Sequence, residues 1–413
     1  MSVISWLDAS ADEQRRVTEI VRLFSQRDTQ DTMGGRRIVV ALSDALFPGT
    51  SVLHTRARYL LFVPWLCQRA VKSNDPLRRL DRLERELIES FKADTTVPDD
   101  NRVRGLIGRA AGAAVKQLPS VAYWTAFSSW GILEWPGSPK NTLDRMSSLP
   151  GLQRIDGADE LADRAPRVWH PGVGTFPAGF PGDDIDGGFR LKPDEARWLS
   201  ERWRHTADGS MLVHLVSTGE PLSSSSPWEH PPSWNSTPNN TALLEHAEWF
   251  ALAIAGAQAL YSLLVAERYV ELGFNRVDVD LDWHRHVVVD WEDEVAAARG
   301  RIATWDPDSF WATLSARGTA IDPHTRAFFS VWFDVTRTGG TSIADDASLR
   351  DTVRNREVRL KTAAQSRLVN DALLASWGGG VPSRTDFRWT SVSALVNDVL
   401  TGLDGDGDDD VGP

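Results

Sequence analysis

A long apolar segment in the second half of the chain restricts the fold more than any other feature of the sequence. Residues 250–266 carry no charged side chain, and Glu248 and Glu267 lie on either side of them. The segment is at or below the roughly 17–20 residues that a helix needs to cross a bilayer, and no basic flank follows it. We therefore expect a buried central helix, with membrane insertion as the alternative.

The length and composition indicate a folded protein with more than one hydrophobic core. The chain has 413 residues, of which 41% are hydrophobic and 25% are charged, and both values are ordinary for globular proteins. The sequence predicts a mainly α fold with minor β (α+β). It favours a multi-helix, two-domain architecture with Pro/Gly-rich connecting segments.

Changes of composition divide the chain into four segments. An N-terminal helical domain is expected over residues 1–150, followed over 151–241 by a Pro/Gly-rich linker with a small α/β element group. Within this linker, residues 219–241 are expected to form an exposed loop. A C-terminal helical domain is expected over 242–403, and residues 404–413 should form an acidic, disordered tail.

Local signals predict several helices in the N-terminal domain, among them one near its start and one after residue 51. A capping box at residues 10–13 predicts a helix over about 10–27. A Phe-Pro-Gly-Thr-Ser turn that ends at Ser51 predicts a second helix over about 51–71, kinked at Pro64.

The net charge and the single cysteine argue against several classes of protein. The net charge of −12 gives no global electrostatic footprint for nucleic acid, although local basic patches remain compatible with it. Cys67 has no partner for an internal disulfide or a cysteine-based zinc site. The N-terminus lacks a secretory signal. We expect a cytoplasmic protein that has no cofactor and does not associate with a membrane.

The motifs of common enzyme classes are missing. The sequence contains neither the Gly-x-x-x-x-Gly-Lys phosphate loop nor Gly-x-Gly-x-x-Gly, and it also lacks His-Glu-x-x-His and Gly-x-Ser-x-Gly. The familiar nucleotide-binding and hydrolase classes are therefore not indicated, whereas an unfamiliar enzyme is not excluded.

An alternation of acidic and apolar residues over 278–290 is the pattern most suggestive of a metal site. As a strand, this stretch would place carboxylates and imidazoles on one face, and both are metal-ligand types. The simpler interpretation is a half-buried strand with a solvated charged face. The metal interpretation predicts a metal-dependent hydrolase or nuclease. Its ligands would be Asp278, Asp280, Asp282, His284 and His286.

Two arginines follow the turn at Ser51 and suggest an anion site. Arg56 and Arg58 would lie close to a helix N-terminus, where free N–H groups and the helix dipole favour an anion. The alternative is structural pairing of these arginines with acids such as Asp44 or Glu84.

A second set of basic residues lies in the last sixty or so positions. Basic side chains at three- and four-residue spacing on a helix can follow phosphates, or they can form an ordinary solvated face. The candidates are Arg354, Arg356, Lys361, Arg367 and Arg388.

Short motifs occur in one combination from end to end of the chain. They are Ser-Trp-Leu-Asp at 5–8, Leu-Phe-Pro-Gly-Thr-Ser at 46–51, Thr-Arg-Ala-Arg-Tyr at 55–59, Phe-Val-Pro-Trp at 62–65, Pro-Ser-x-x-Tyr-Trp at 119–124, Trp-Gly-Ile at 130–132, Arg-Glu at 356–357, Lys361, Arg-Leu at 367–368, Trp-x-Gly at 377–379 and Arg-Trp at 388–389. In this combination the chain resembles an uncharacterised bacterial family, the domain-of-unknown-function 6361 family. The resemblance implies no established activity, and it implies a place in mobile or phage-defence gene clusters. The stretch at 278–290 is not part of the pattern.

The sequence thus favours a non-enzymatic recognition or accessory protein. It would bind an anionic partner such as nucleic acid, through Arg56, Arg58 and the basic residues near the C-terminus. The alternatives are the metal-dependent hydrolase or nuclease and a scaffold that binds other proteins of its gene cluster, with all basic residues structural.

Overall fold

A computed structural model describes most of the chain and is almost entirely helical. The predicted helix over 10–27 and the part of the predicted acidic tail beyond residue 405 lie outside the described residues. Within the described residues, the only β pairing is an isolated antiparallel bridge between Leu133 and Trp169. The mainly helical prediction is therefore confirmed, and the predicted minor β part is reduced to this bridge. The described ranges are 31–94, 97–148, 167–182, 185–339, 342–379 and 384–405.

The described ranges contain fifteen α-helices and several short 3₁₀ turns. The helices are α1 (Arg36–Leu46), α2 (Tyr59–Ala70), α3 (Pro76–Ala93), α4 (Asp99–Arg102), α5 (Pro119–Ser129), α6 (Pro139–Ser148), α7 (Pro193–Thr206), α8 (Met211–Thr218), α9 (Pro238–Glu271), α10 (Leu281–Ile302), α11 (Pro307–Ala316), α12 (Pro323–Thr338), α13 (Ala347–Lys361), α14 (Asp371–Leu374) and α15 (Trp389–Asp404).

The chain divides into two compact units, and each unit combines two separate stretches of sequence. Unit 1 takes the described residues within Met1–Leu42 and Glu245–Thr385, and unit 2 those within Ser43–Leu244 and Asp386–Pro413. This division differs from the contiguous segments predicted from composition. The reason lies in the C-terminal helix α15, which packs against α7 and α8 and so belongs to unit 2.

Helix α2 lies at the centre of unit 2, where it packs against α3, α5 and α6. It begins at Tyr59, eight residues later than the predicted start near residue 51. The N–H groups of Thr55 and Arg56 donate to the hydroxyl oxygen of Tyr123 at 2.8 and 3.0 Å, so they take no part in a helical turn. Arg56 and Arg58 therefore precede the helix, with Arg58 at its N-cap, and the predicted start near residue 51 is wrong.

The segment over 219–241, predicted as an exposed loop, is packed into unit 2. It contains the 3₁₀ turns Pro227–Glu229 and Pro231–Asn235. The Trp389 indole N–H donates to the Ser224 carbonyl at 2.9 Å. The Asn397 side chain bonds both the N–H and the carbonyl of Leu222, each at 2.8 Å. These bonds join the segment to α15 and satisfy backbone groups that a buried loop must pair.

Helix α9 forms the core of unit 1, as the apolar segment predicted. Its 18-residue window of highest hydropathy reaches a mean of 1.7, which is enough for a membrane span by length and composition, but 89% of that window is buried within the protein. At Gly256 the helix approaches other elements closely: a Cβ there would lie 2.5 Å from the Trp291 ring and 2.9 Å from the Trp332 ring. The close packing favours the core interpretation.

The stretch over 278–290 is not a strand, contrary to the prediction. Asp280 caps the N-terminus of α10 by accepting the N–H of Trp283 at 3.0 Å. The buried residues that follow, His284, Val288 and Trp291, are spaced four and three apart, which is helical periodicity. The two-residue alternation therefore ends at the cap, and the charged residues do not share one face.

Candidate anion-binding site

In unit 2, the guanidinium of Arg56 is held by one carboxylate and two carbonyl groups. Its Nε lies 3.1 and 3.0 Å from the two carboxylate oxygens of Asp398, and its Nη2 lies 2.9 Å from Oδ1. Its Nη1 donates to the carbonyl oxygens of Asp100 and Arg104 at 2.7 and 3.1 Å. Burial raises the pKa of Asp398, against the opposing charge of Arg56. The Arg56 guanidinium therefore has its hydrogen-bond acceptors within unit 2.

Arg58 is fixed in the same way by a neighbouring part of unit 2. The side chain is only 2% exposed, and its Nε lies 3.0 Å from Glu195 Oε2. Nη2 donates to the other oxygen of Glu195 at 3.1 Å, and Nη1 donates to the carbonyl oxygens of Asp186 and Gly188, both at 2.6 Å. Arg58 therefore joins the loop before α7 to the start of α2.

Arg388 has a comparable structural position. Its Nη1 lies 2.7 Å from the Thr50 carbonyl and 2.7 Å from Asp44 Oδ1. Asp44 was expected to pair with the arginines at 56 and 58, but it pairs with Arg388 instead. Glu84, the other expected partner, accepts the N–H and hydroxyl of Ser120 at 2.6 and 3.0 Å. Structural pairing, the alternative to an anion site, thus describes these arginines, although with different partners.

In unit 1, a buried carboxylate lies at the C-terminal end of α13. Asp346 caps the start of this helix by accepting the N–H of Leu349 at 3.0 Å. One face of the helix is buried and includes Val353, Arg356 and Glu357. Glu357 is 0% exposed, so its charge needs compensation from within the protein.

Five donors surround the Glu357 carboxylate. Oε1 accepts the Tyr261 hydroxyl at 2.7 Å, the Arg367 N–H at 3.1 Å and the Lys361 ammonium at 3.4 Å, and Oε2 accepts the Ser366 hydroxyl and the Leu368 N–H. Burial acts to raise the pKa of Glu357, but these hydrogen bonds and the Lys361 charge outweigh it and hold the pKa below its ordinary value. The carboxylate is ionised and saturated, which makes it a poor general base near neutral pH.

A strained turn brings the chain back over this carboxylate. Helix α13 ends at Lys361, and Thr362 follows with φ 68° and ψ 160°, a region that β-branched residues rarely occupy. The next residues form the 3₁₀ turn Ala363–Gln365. Such strain costs on the order of 1–3 kcal/mol and persists only where the surroundings impose it. Here the bonds from Ser366 and Leu368 to Glu357 impose it.

Arg356, next to Glu357 in sequence, has a structural role in unit 1. Its Nε donates to the Met33 carbonyl at 3.0 Å, and its Nη2 donates to the Thr325 hydroxyl at 2.8 Å. The guanidinium lies 5.0 Å from the centre of the Phe328 ring. Burial lowers the pKa of Arg356. The predicted anion-binding residue is thus enclosed by the core.

Lys361 and Arg367 come together beside the saturated carboxylate. Lys361 Nζ lies 5.5 Å from the centre of the Tyr261 ring, and the Arg367 guanidinium faces the hydroxyl of the same tyrosine. The 3.4 Å contact to Glu357 is longer than an ordinary hydrogen bond, and an ammonium has three donors. Arg367 Nε is buried and, within the described residues, has no hydrogen-bond acceptor. Burial lowers the pKa of Lys361, and the charge of Arg367 contributes to this shift.

The remaining predicted site residues lie apart from this cluster. Arg354 is 44% exposed and pairs with Asp351 at 2.7 Å. His284 is buried, and its Nδ1 lies 3.2 Å from the Ser262 hydroxyl. Burial lowers the pKa of His284. Of the other proposed ligands, Asp280 caps α10. The remaining three, Asp278, Asp282 and His286, are exposed.

Metal ligation finds no support in the described ranges. No group of three or more His, Cys, Asp or Glu side chains in them is placed to hold a metal ion. The strand that would have aligned the carboxylates and imidazoles of 278–290 does not form. The metal interpretation therefore loses the geometry on which it depended.

Sequence reasoning missed the acidic partners of both networks. Glu357 was noted only as part of a motif, although an acid four residues before Lys361 within a basic run is a signal for an ion pair. Tyr261 lies inside an apolar helix, where its hydroxyl needs a partner, and that need was a usable signal. Asp398 and Glu195 lie 342 and 137 residues from their arginines, and no local pattern indicates them.

A comparison with known proteins adds a family but no activity. A family model described as "Family of unknown function (DUF6361)" matches residues 1–402 of the chain. This match confirms the resemblance drawn from the short motifs. No curated protein and no solved structure matches the chain.

Proposed function

The chain belongs to the family of unknown function DUF6361, and we propose that it is a non-enzymatic recognition protein that binds an anionic group beside Glu357. The cations that bind the anion are Lys361 and Arg367. Arg56, Arg58, Arg356 and Arg388 are structural in this proposal, because carboxylates, carbonyls and, for Arg356, a hydroxyl of the protein already accept from them.

One observation carries the proposal: around Glu357, the hydrogen-bond donors of the protein outnumber the acceptors. Five donors already surround the Glu357 carboxylate, so it offers little to the remaining donors of the two cations. Arg367 Nε has no acceptor within the described residues, and a buried unpaired donor costs about 1–3 kcal/mol. An anion beside both cations offsets this cost through their charges.

Two further features support an anion at this position. Burial lowers the pKa of Lys361, so a bound negative charge restores the stability of the ammonium. Glu357, Lys361 and Arg367 also belong to the short motifs through which the chain resembles the family. The Ser366 and Tyr261 hydroxyls donate to Glu357, but other donors share its oxygens and its pKa is lowered, so it is a poor base for either hydroxyl, which favours binding over catalysis.

The proposal is tested by isothermal titration with inorganic pyrophosphate. We expect saturable heat with the wild-type protein and at least tenfold weaker binding after Arg367→Gln or Lys361→Met. Arg354→Gln is the matched control, because Arg354 lies on the same helix as Lys361 but is exposed and paired with Asp351. This variant should bind pyrophosphate as the wild type does.

Circular dichroism and thermal unfolding establish that each variant is folded. If wild-type protein binds neither pyrophosphate nor single-stranded DNA, or if Arg367→Gln binds as well as wild type, the proposal is wrong. Capture of a protein partner that is insensitive to both substitutions would then favour the scaffold.

A further inference from the structure

The donors at Lys361 and Arg367 are recessed, and this limits the ligands that reach them. The Lys361 side chain is 18% exposed, and Glu357 below it is 0% exposed. Arg367 is half-buried, with its Nε enclosed. A phosphodiester inside a strand carries a sugar on both sides, and both sugars would have to enter the recess. A terminal phosphate enters with one substituent only.

The surrounding cations of α13 do not form a track for a polyanion. Arg350 and Arg354 lie eleven and seven residues before Lys361, on the same face of the helix. Arg350 pairs with Glu267, and Arg354 pairs with Asp351. Arg350 and Arg354 are therefore each matched by a neighbouring acid. Among these three residues, only Lys361, at the end of the helix, has unused donors.

The geometry of the donors fits a tetrahedral anion. An ammonium is a compact charge with rotatable donors, and a guanidinium presents a planar fork. A phosphate has several terminal oxygens and accepts charge-assisted hydrogen bonds from both groups at once.

From these observations we infer that the site takes one terminal phosphate monoester, as in a mononucleotide or a phosphorylated nucleic-acid end, and not a phosphodiester backbone. This inference rests on the proposed anion-binding function. It replaces the expectation of a nucleic-acid surface with a recognition site for a single phosphate group.

The test compares two fluorescent ten-residue thymidine oligonucleotides, one with a 5′-phosphate and one with a 5′-hydroxyl, by anisotropy. We expect the 5′-phosphorylated probe to bind at least tenfold more tightly. The slope of log affinity against log salt should be about −1, because one or two phosphate contacts on a single strand each contribute about −0.7. Arg367→Gln should abolish the difference between the probes, and Arg354→Gln should keep it.

Competitors identify the source of the phosphate. Displacement of the probe by thymidine 5′-monophosphate at equal affinity indicates a free nucleotide, and tighter binding of the oligonucleotide indicates a nucleic-acid end. Equal binding of both probes with a slope steeper than about −3, still lost in Arg367→Gln, overturns the inference and leaves the proposed function intact. Absence of binding by all probes, inorganic phosphate and pyrophosphate overturns both.

Discussion

Units 1 and 2 each contain a buried network of opposite charges, but the two networks differ in which charge has all its hydrogen bonds satisfied. In unit 2 the cations are saturated: Arg56 and Arg58 donate to carboxylates and to carbonyl oxygens. In unit 1 the anion is saturated, because Glu357 accepts from hydroxyls, backbone N–H groups and Lys361. Between these two networks, the spare hydrogen-bonding capacity therefore belongs to Lys361 and Arg367.

This difference separates structural arginines from binding ones. A buried ion pair is weak evidence for net stability, but breaking one partner is costly because the other charge stays buried. A saturated arginine cannot gain much from a ligand, since a new bond must replace an existing one. An unsaturated cation gains the full bond. Four predictions, from the largest expected effect to the smallest, test whether the two networks differ in this way.

Glu357→Ala should have the largest effect. It leaves two hydroxyls, two N–H groups and the Lys361 ammonium without their acceptor, and we expect about 4 kcal/mol of lost stability, within the range for breaking a buried charge pair. Hydrogen–deuterium exchange should rise most over residues 363–370. A loss below about 1 kcal/mol, or unchanged exchange in this loop, would show that Glu357 does not hold the turn.

Arg58→Ala should destabilise unit 2 by about 3 kcal/mol, because Glu195 and two carbonyl groups lose their donor. Chemical denaturation measures the loss, and exchange should rise at the start of α7. Binding of pyrophosphate should persist with unchanged affinity under conditions where the variant is folded. Weaker binding would place a ligand-binding cation in unit 2 and remove the contrast between the units.

Acid should destabilise both units alike, through one buried histidine in each. Burial lowers the pKa of His54 to about 3 and the pKa of His246 to about 4. Below pH 6.5 the unfolded chain takes up a proton that the folded protein refuses, so stability falls as the pH decreases towards these values. Between pH 6.5 and 5 we expect about 2 kcal/mol of loss for each histidine.

The matched variants for this prediction are His54→Asn and His246→Asn. An amide oxygen can replace the imidazole Nδ1, which accepts the Ser51 N–H in unit 2 and the Trp305 indole N–H in unit 1. Each variant should flatten the dependence of unfolding free energy on pH over this window. An unchanged slope would mean that the histidine binds a proton as readily in the folded protein as in the unfolded chain.

Thr362→Gly should have the smallest effect and the opposite sign. Glycine adopts φ 68° without steric cost, although its greater freedom in the unfolded chain offsets part of the gain. We expect about 0.5–1 kcal/mol of added stability by denaturation, with pyrophosphate affinity within twofold of wild type. Destabilisation would show that the threonine side chain itself contributes to the turn.

Periodicity in the sequence was enough to predict the helical character and the buried helix α9. The interpretation of 278–290 failed because a capping aspartate, Asp280, interrupted an alternation that otherwise resembles a strand. The basic residues near the C-terminus were predicted to act as a group, but the structure separates them. Their separation into core, surface and cluster positions depends on which helix face is buried, and Arg354, Arg356 and Lys361 differ only in that respect.

The acids of unit 2 could not be predicted, since their arginines lie far from them along the chain. The pairing of Arg56 with Asp398 requires α15 to return to unit 2, and that packing is a property of the whole fold. The strained turn at Thr362 was equally invisible, because a threonine carries no signal for a positive φ. Local patterns therefore identify candidate cations, and tertiary packing decides which of them remain unsaturated.

Crystals soaked in tungstate and measured for anomalous scattering test the central contrast most directly. Tungstate is a tetrahedral dianion with a strong anomalous signal, so its position is seen without assumptions about the ligand. The account predicts a peak within hydrogen-bonding distance of Lys361 Nζ and the Arg367 guanidinium, and none at Arg56, Arg58 or Arg388. Peaks at the arginines of unit 2, with Lys361 and Arg367 empty, would contradict it.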